Sequence, residues 1–190
     1  MNRFKAVVMG ASAGGLDALS ILLATLPETY SCPVIIVQHV HHEQGGGLVG
    51  YFTRKCALNL HEAGDKEPVR PGCVYFAPPN YHLLVEPDRI FSLSVDEKVH
   101  YSRPSIDVLF ESAAHAWGRD LAGIVLTGAN ADGAYGLQVI KEYGGLTVVQ
   151  DPATSEHPLM PQATLDAGEV DYILSLEQIG ELLAGKGTHE

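Results

Sequence analysis

Phe4-Lys5-Ala6-Val7-Val8-Met9 followed by Gly10-Ala11-Ser12-Ala13-Gly14-Gly15 is the stretch that decides the fold. The first half is a mostly apolar run that stops abruptly in glycines. Leu16, Leu19, Leu22, Leu23 and Leu26 then recur at helical spacing. The pattern predicts strand, tight turn and helix. Glycine allows close backbone approach and positive φ, so the turn presents one hydroxyl, that of Ser12, at the front of a helix. Backbone N–H groups point outward there, and the helix dipole favours negative charge. Such a place suits a nucleophile that must generate an oxyanion.

Other readings of the same residues stay open at this point. The dinucleotide fingerprint Gly-x-Gly-x-x-Gly does not occur in the stretch, and no Gly-Lys-Ser/Thr makes it a Walker loop. Gly10-Ala11-Ser12-Ala13-Gly14 fits the Gly-x-Ser-x-Gly nucleophile elbow, a short pattern that also arises by chance. A phosphate-binding turn and a plain strand-to-helix turn fit as well.

Working outward, Val34-Ile35-Ile36-Val37 is a second strand, apolar throughout, as expected when both faces are covered. It ends at Gln38-His39, and a polar loop with His41, His42, Glu43 and Gly45-Gly46-Gly47 follows. Leu48 to Cys56 predicts a second helix, and 58–60 a short strand. Short strands at 74–77, 81–85 and 90–93, separated by Pro78-Pro79-Asn80 and Glu86-Pro87-Asp88, predict an antiparallel flap. Ser105 is the expected N-cap of a helix carrying Ile106, Leu109, Phe110, Ala113 and Trp117 on one face. Residues 121–126 form another buried strand, running into Thr127-Gly128-Ala129-Asn130-Ala131-Asp132-Gly133. A helix at about 134–143, a strand at 146–149, a loop at 150–160, a short helix, a strand at 170–174 and a last helix from Ser175 complete the chain.

Strands alternating with helices predict a doubly wound, mostly parallel α/β sheet with helices on both faces. Ligand sites in such sheets lie beyond the carboxyl ends of the strands. Ser12, His39 and Asp132 each follow a predicted strand end, so one rim can bring them together. A serine hydroxyl needs a base to take its proton; histidine is that base, and a carboxylate fixes its tautomer and steadies the imidazolium. Singly, the bland readings win, a turn residue, a surface histidine and a helix cap; jointly, a catalytic triad is the better reading. His39-x-His41 also raises a metal site, but no third ligand is evident. His82, Asp107, His115 and Asp151 are spare polar residues with no spacing that demands a site.

The whole chain sets bounds. Its 190 residues with 46% hydrophobic content suit one domain with a sizeable core. A net charge of −11 argues against binding nucleic acid or acidic membrane. Cys32, Cys56 and Cys73 lack metal-type spacing and are odd in number, which points to reduced thiols in a cytoplasm. No apolar stretch approaches the roughly 20 residues of a membrane span, so no membrane insertion is expected.

The ordered motifs carry a resemblance. Val-Met-Gly-Ala-Ser-Ala-Gly-Gly at 8–15, Val-Gln-His at 37–39, Pro-Gly-Cys-Val-Tyr-Phe-Ala-Pro-Pro at 71–79 with His82, Arg-Pro-Ser-Ile-Asp at 103–107, Leu-Thr-Gly-Ala-Asn-Ala-Asp-Gly-Ala at 126–134 and Met-Pro at 160–161 together resemble the catalytic domain of chemotaxis receptor protein-glutamate methylesterases. The resemblance implies hydrolysis of glutamyl methyl esters on methylated chemoreceptors, with deamidation of selected glutamines, and no cofactor or metal. It implies Ser12, His39 and Asp132 as the catalytic residues, with backbone groups of Ala13, Ala129 and Met160 near the oxyanion or substrate. Residues 1–185 are then the catalytic domain and 186–190 a disordered tail. The family usually has threonine where this chain has Ala13, Met-Gly where it has Ala129-Asn130, and glycine where it has Leu159. Asn130 tolerates positive φ better than most residues, though less well than glycine, and both departures lie near the expected oxyanion hole, so lower turnover is expected. No phosphoacceptor receiver domain precedes the turn, so control by phosphorylation in the same chain is not expected. A catalytically weak signalling-partner module and a phosphate or nucleotide binder are the two rival expectations.

Overall fold

The computed structural model describes residues 4–39 and 47–185. The 41–46 histidine-glycine loop, including His41 of the His39-x-His41 metal pair, and the 186–190 tail lie outside the described residues. Strands β1 (Ala6–Ala11), β2 (Val34–Gln38), β3 (Asn59–Glu62), β4 (Cys73–Phe76), β7 (Leu121–Val125), β8 (Leu146–Gln150) and β9 (Tyr172–Leu174) form one sheet. Its order is β3-β4-β2-β1-β7-β8-β9, and every pairing is parallel. Strand β1 is central because it is apolar on both faces. Val7, Met9 and Ala11 join one core, while Ala6 and Val8 join the other. Alternate side chains of one strand thus feed two cores.

The first core is covered by helices α1 (Gly15–Thr25), α2 (Gly47–Phe52) and α6 (Leu176–Leu183). Helix α6 starts on a capping box between Ser175 and Gln178. The second core is covered by α3 (Ile106–Trp117), α4 (Ala134–Glu142) and α5 (Leu159–Ala167), with Phe91 and Leu83 packed among them. Ser105 caps α3 as the sequence predicts, its hydroxyl accepting from Val108 N.

Two expectations are corrected. The antiparallel unit contains only β5 (His82–Val85) and β6 (Phe91–Ser94). The 74–77 strand, expected in that flap, is β4 of the main sheet, paired parallel to β2 and β3. All four residues of β4 are buried, the pattern of a strand covered on both faces rather than half solvated. Helix α2 is also shorter than expected, ending at Phe52.

The chain leaves β1 toward β2 on one side, whereas β7 flanks β1 on the other. This is the switch point at which doubly wound sheets hold their ligands. Backbone bonds extend past the strand ends there: His39 N donates to Ala11 O at 3.0 Å and Ser12 N to Thr127 O at 3.0 Å. Three loops are thereby stitched side by side along one rim.

Candidate active site

Ser12 stands where β1 turns into α1. The turn closes through Gly15 N donating to Ser12 O at 2.9 Å. Gly14 has φ 75° in the left-handed region, which a side chain would strain. Gln38, buried at the end of β2, donates from Nε2 to Ser12 O at 2.8 Å and to His39 O at 2.8 Å. Its amide therefore clamps the serine turn to the histidine loop. Gly15 must lack a side chain for this, because a Cβ would lie 2.0 Å from Gln38 Oε1. Ser12 and His39 face a common cleft of about 300 Å³, with Leu16, Tyr51 and the carboxyl-bearing Glu156 on its walls. Among the described residues the Ser12 hydroxyl makes no hydrogen bond.

His39 Nε2 lies 2.9 Å from Asp132 Oδ2. Asp132 is fully buried and saturated with donors. Its Oδ1 accepts from Ser105 Oγ at 2.8 Å and Asp107 N at 3.0 Å, and its Oδ2 from Ile106 N at 2.7 Å. The carboxylate thus sits on the N-terminus of α3, where free N–H groups and the dipole stabilise negative charge. Burial pushes its pKa up, but the bonds from His39, Asp107 N and Ile106 N outweigh that and hold it below the usual carboxylate range. An ionised, acceptor-only Asp132 requires the imidazole proton on Nε2. The ring's lone pair is therefore on Nδ1.

Asp107 supports the same corner. It accepts from Gly133 N at 3.0 Å and Gly136 N at 2.7 Å, tying α3 to the start of α4. Burial raises its pKa, opposed by the Gly136 N–H and reinforced by the charge of Asp132. His100, Asp107 and Asp132 place three ligand-type atoms within 4.8 Å of one another. The donor set does not fit a cation, because N–H groups already point at both oxygens of Asp132 and at Asp107 Oδ1.

The loop after β7 brings further residues that the sequence reading did not assign. Thr127, buried, donates from Oγ1 to Ala13 O at 3.0 Å and accepts from His157 N at 2.8 Å. It joins the serine turn to the 156–158 segment. Thr127→Val keeps the shape but strands both partners. A loss of about 1–3 kcal/mol is expected, read as a melting shift of about 2–4 °C per kcal/mol, with kcat/KM lower by about tenfold as the turn loosens. An unchanged melting temperature would show that Thr127 is dispensable. His82 is a buried strut: Nδ1 accepts from Ser105 N at 3.2 Å and Nε2 faces Glu97 O at 2.9 Å. The spare residues Asp107 and His82 thus hold the helix end that holds Asp132. Their signal was present only in three dimensions.

Of the residues expected near the oxyanion, Ala13 and Ala129 keep N–H groups that no protein acceptor takes among the described residues. Met160 differs. Its N–H donates to Gly128 O at 3.0 Å, and its side chain is fully buried against Gly128. Asn130 does not take a positive φ, so it is not a glycine substitute in the backbone. It acts through its side chain: Oδ1 accepts from Asp132 N at 3.1 Å, and Nδ2 lies 3.3 Å from His39 Nδ1.

A doubly wound α/β domain with a serine on a strand-to-helix turn and a histidine–carboxylate pair beside it holds the residue types that a serine-hydrolase site needs. The chain belongs to the CheB methylesterase family, whose match spans residues 7–183. It is similar to the Thermotoga maritima CheB methylesterase catalytic domain, with TM-score 0.90 and 31% identity over 96% of this chain and 98% of that one. A Leptospira interrogans relative is 51% identical over 94% of this chain and 93% of its own. An Anaeromyxobacter dehalogenans relative named protein-glutamate methylesterase/protein-glutamine glutaminase 2 is 40% identical over 95% of this chain and 53% of its own. The protein is a hydrolase of the protein-glutamate methylesterase type. No helix among the described residues is long and apolar enough to cross a membrane.

Proposed function

We propose that Ser12, His39 and Asp132 carry the methylesterase reaction, on glutamyl methyl esters of chemoreceptor-type helical proteins in the cytoplasm. The observation that supports this most is the 2.9 Å bond between His39 and buried Asp132, beside the cleft that Ser12 also lines. Ser12 Oγ attacks the ester carbonyl and its proton passes to His39 Nδ1. Asp132 stabilises the imidazolium without taking the proton. The tetrahedral oxyanion forms near the N–H groups of Ala13 and Ala129, where fixed donors act most strongly on the charge that develops. Collapse expels methanol, protonated by His39, and leaves a glutamyl ester on Ser12. Water attacks this ester, gives its proton to His39 and releases the glutamate carboxylate as Ser12 recovers its hydrogen. The Glu156 carboxylate at the mouth disfavours the anionic product over the neutral ester. It also opposes a phosphate ligand on the glycine turn, whose Gly14 lies against Glu156.

A fluorophosphonate probe should label the protein covalently at Ser12, and the protein should release methanol from a methyl-esterified receptor fragment. Absence of both would overturn the proposal. Ala13→Thr supplies the hydroxyl usual in the family, on the wall of the cleft. Turnover is expected to rise with KM little changed, by less than the roughly 10²–10³ that one oxyanion donor contributes elsewhere. Unchanged or reduced turnover in steady-state kinetics would show that Ala13 is no handicap.

A further inference from the structure

Asn130 occupies the one atom of His39 that the reaction needs. Nε2 faces Asp132 at 2.9 Å, which leaves Nδ1 as the base. The Asn130 amide is oriented without ambiguity, because its Oδ1 accepts from Asp132 N at 3.1 Å. The remaining end, the NH₂ donor, is then aimed at Nδ1, 3.3 Å away. One continuous proton chain results: Asn130 N–H to Nδ1, and Nε2–H to Asp132. Among the described residues the Ser12 hydroxyl has no partner, although it shares the cleft with His39.

We infer that Asn130 is a positioning residue that caps the His39 base and must yield Nδ1 to Ser12 before each attack. The inference rests on the triad proposal and deepens it. Two consequences follow from hydrogen-bond polarity. In the resting site the cap donates to Nδ1, which keeps the lone pair there and the proton on Nε2, the tautomer that triad chemistry requires. During attack Nδ1 acquires the Ser12 proton, and Nδ1–H then confronts the Asn130 N–H, donor against donor. The cap therefore favours the resting base over the imidazolium, so its cost falls on the chemical step and not on substrate binding. The amide is the side chain of a half-buried residue held, besides its contact with His39, by one 3.1 Å bond, so it can swing aside.

Two substitutions have opposite expected signs. Asn130→Ser keeps a short oxygen able to accept from Asp132 N, as serine does two residues upstream of an N–H, but has no donor that reaches Nδ1. It is expected to raise kcat by about 3- to 10-fold, the scale of one neutral hydrogen bond, with KM unchanged. Asn130→Asp keeps the same acceptor but turns an acceptor toward Nδ1. It should hold a proton there and lower kcat by about 10²-fold or more. Fluorophosphonate labelling of the full chain separates the two levels of argument. Wild-type labelling that Ser12→Ala abolishes keeps the triad, whatever Asn130 does. ¹⁵N NMR of the His39 ring then tests the cap directly in the wild type: Nε2 protonated and Nδ1 a hydrogen-bonded acceptor are expected. In Asn130→Asp the Nδ1 signal should shift to that of a hydrogen-bond donor. A wild-type Nδ1 with no hydrogen bond, or an Asn130→Ser variant that labels and turns over more slowly than wild type while folded, would overturn the inference.

Discussion

Replacing Ser12 with alanine is expected to lower kcat for methyl-ester hydrolysis by about 10³-fold or more, because in the proposed mechanism it is one member of a triad, and triad members act as a unit. The same replacement should leave the fold almost untouched. The hydroxyl it removes has no hydrogen-bond partner among the described residues. The bonds that hold the turn are made by the backbone: Ser12 N to Thr127 O, Gly15 N to Ser12 O, and Gln38 Nε2 to Ser12 O. A melting temperature within about 2 °C of wild type is expected for so small a change away from packing and buried networks. His39→Ala should match the loss of activity but not the neutrality, since it removes a donor from buried Asp132. Methanol release measured beside calorimetry decides the matter. Near wild-type turnover in a folded Ser12→Ala protein would mean that the nucleophile lies elsewhere.

The residues that sequence reading found share a property: each follows an apolar run that predicts a buried strand. Ser12, His39 and Asp132 could therefore be placed at strand ends before their neighbours were known. The strand order adds what a pattern lacks, namely that β2, β1 and β7 are adjacent. What stayed hidden depends on contacts between segments far apart in the chain. Asp132 is a cap for α3, 25–27 residues upstream, and a helix whose own N-cap is Ser105 gives no hint that it needs a second acceptor. Asp107 and His82 looked spare because their partners, mostly backbone groups, belong to other segments of the chain. Asn130 was read for its backbone tolerance, whereas its φ is ordinary and its amide is what reaches His39. The assignment of 74–77 to the flap had a visible remedy. Cys73-Val74-Tyr75-Phe76 has no polar alternation, which marks a strand covered on both faces; the turn residues around it suggested a hairpin instead.

Asp132→Asn is the substitution expected to hurt most, because it strikes activity and stability through the same atoms. In another triad the equivalent change lowered kcat by about 10⁴, the amide holding the wrong imidazole tautomer, and a loss of that order is expected here. An amide nitrogen cannot accept the Nε2–H of His39, and neither end of the amide steadies the imidazolium. Here the structural cost is specific. Both oxygens of Asp132 accept backbone N–H groups of α3, Oδ1 from Asp107 N and Oδ2 from Ile106 N. Whichever oxygen becomes NH₂, a buried donor then faces a buried donor. About 1–3 kcal/mol of stability should be lost, lowering the melting temperature by about 2–4 °C per kcal/mol. The pH dependence carries the same signature. Asp132 has a folded-state pKa below its unfolded value, so its contribution is present above the unfolded pKa and is lost as pH falls through the folded one. The stability gap between wild type and Asp132→Asn should therefore be widest at neutral pH and narrow on acidification below about pH 4. A folded variant with full turnover would reduce Asp132 to a turn residue. A variant with lost turnover but an unshifted melting temperature at neutral pH would mean that the α3 end does not depend on this carboxylate.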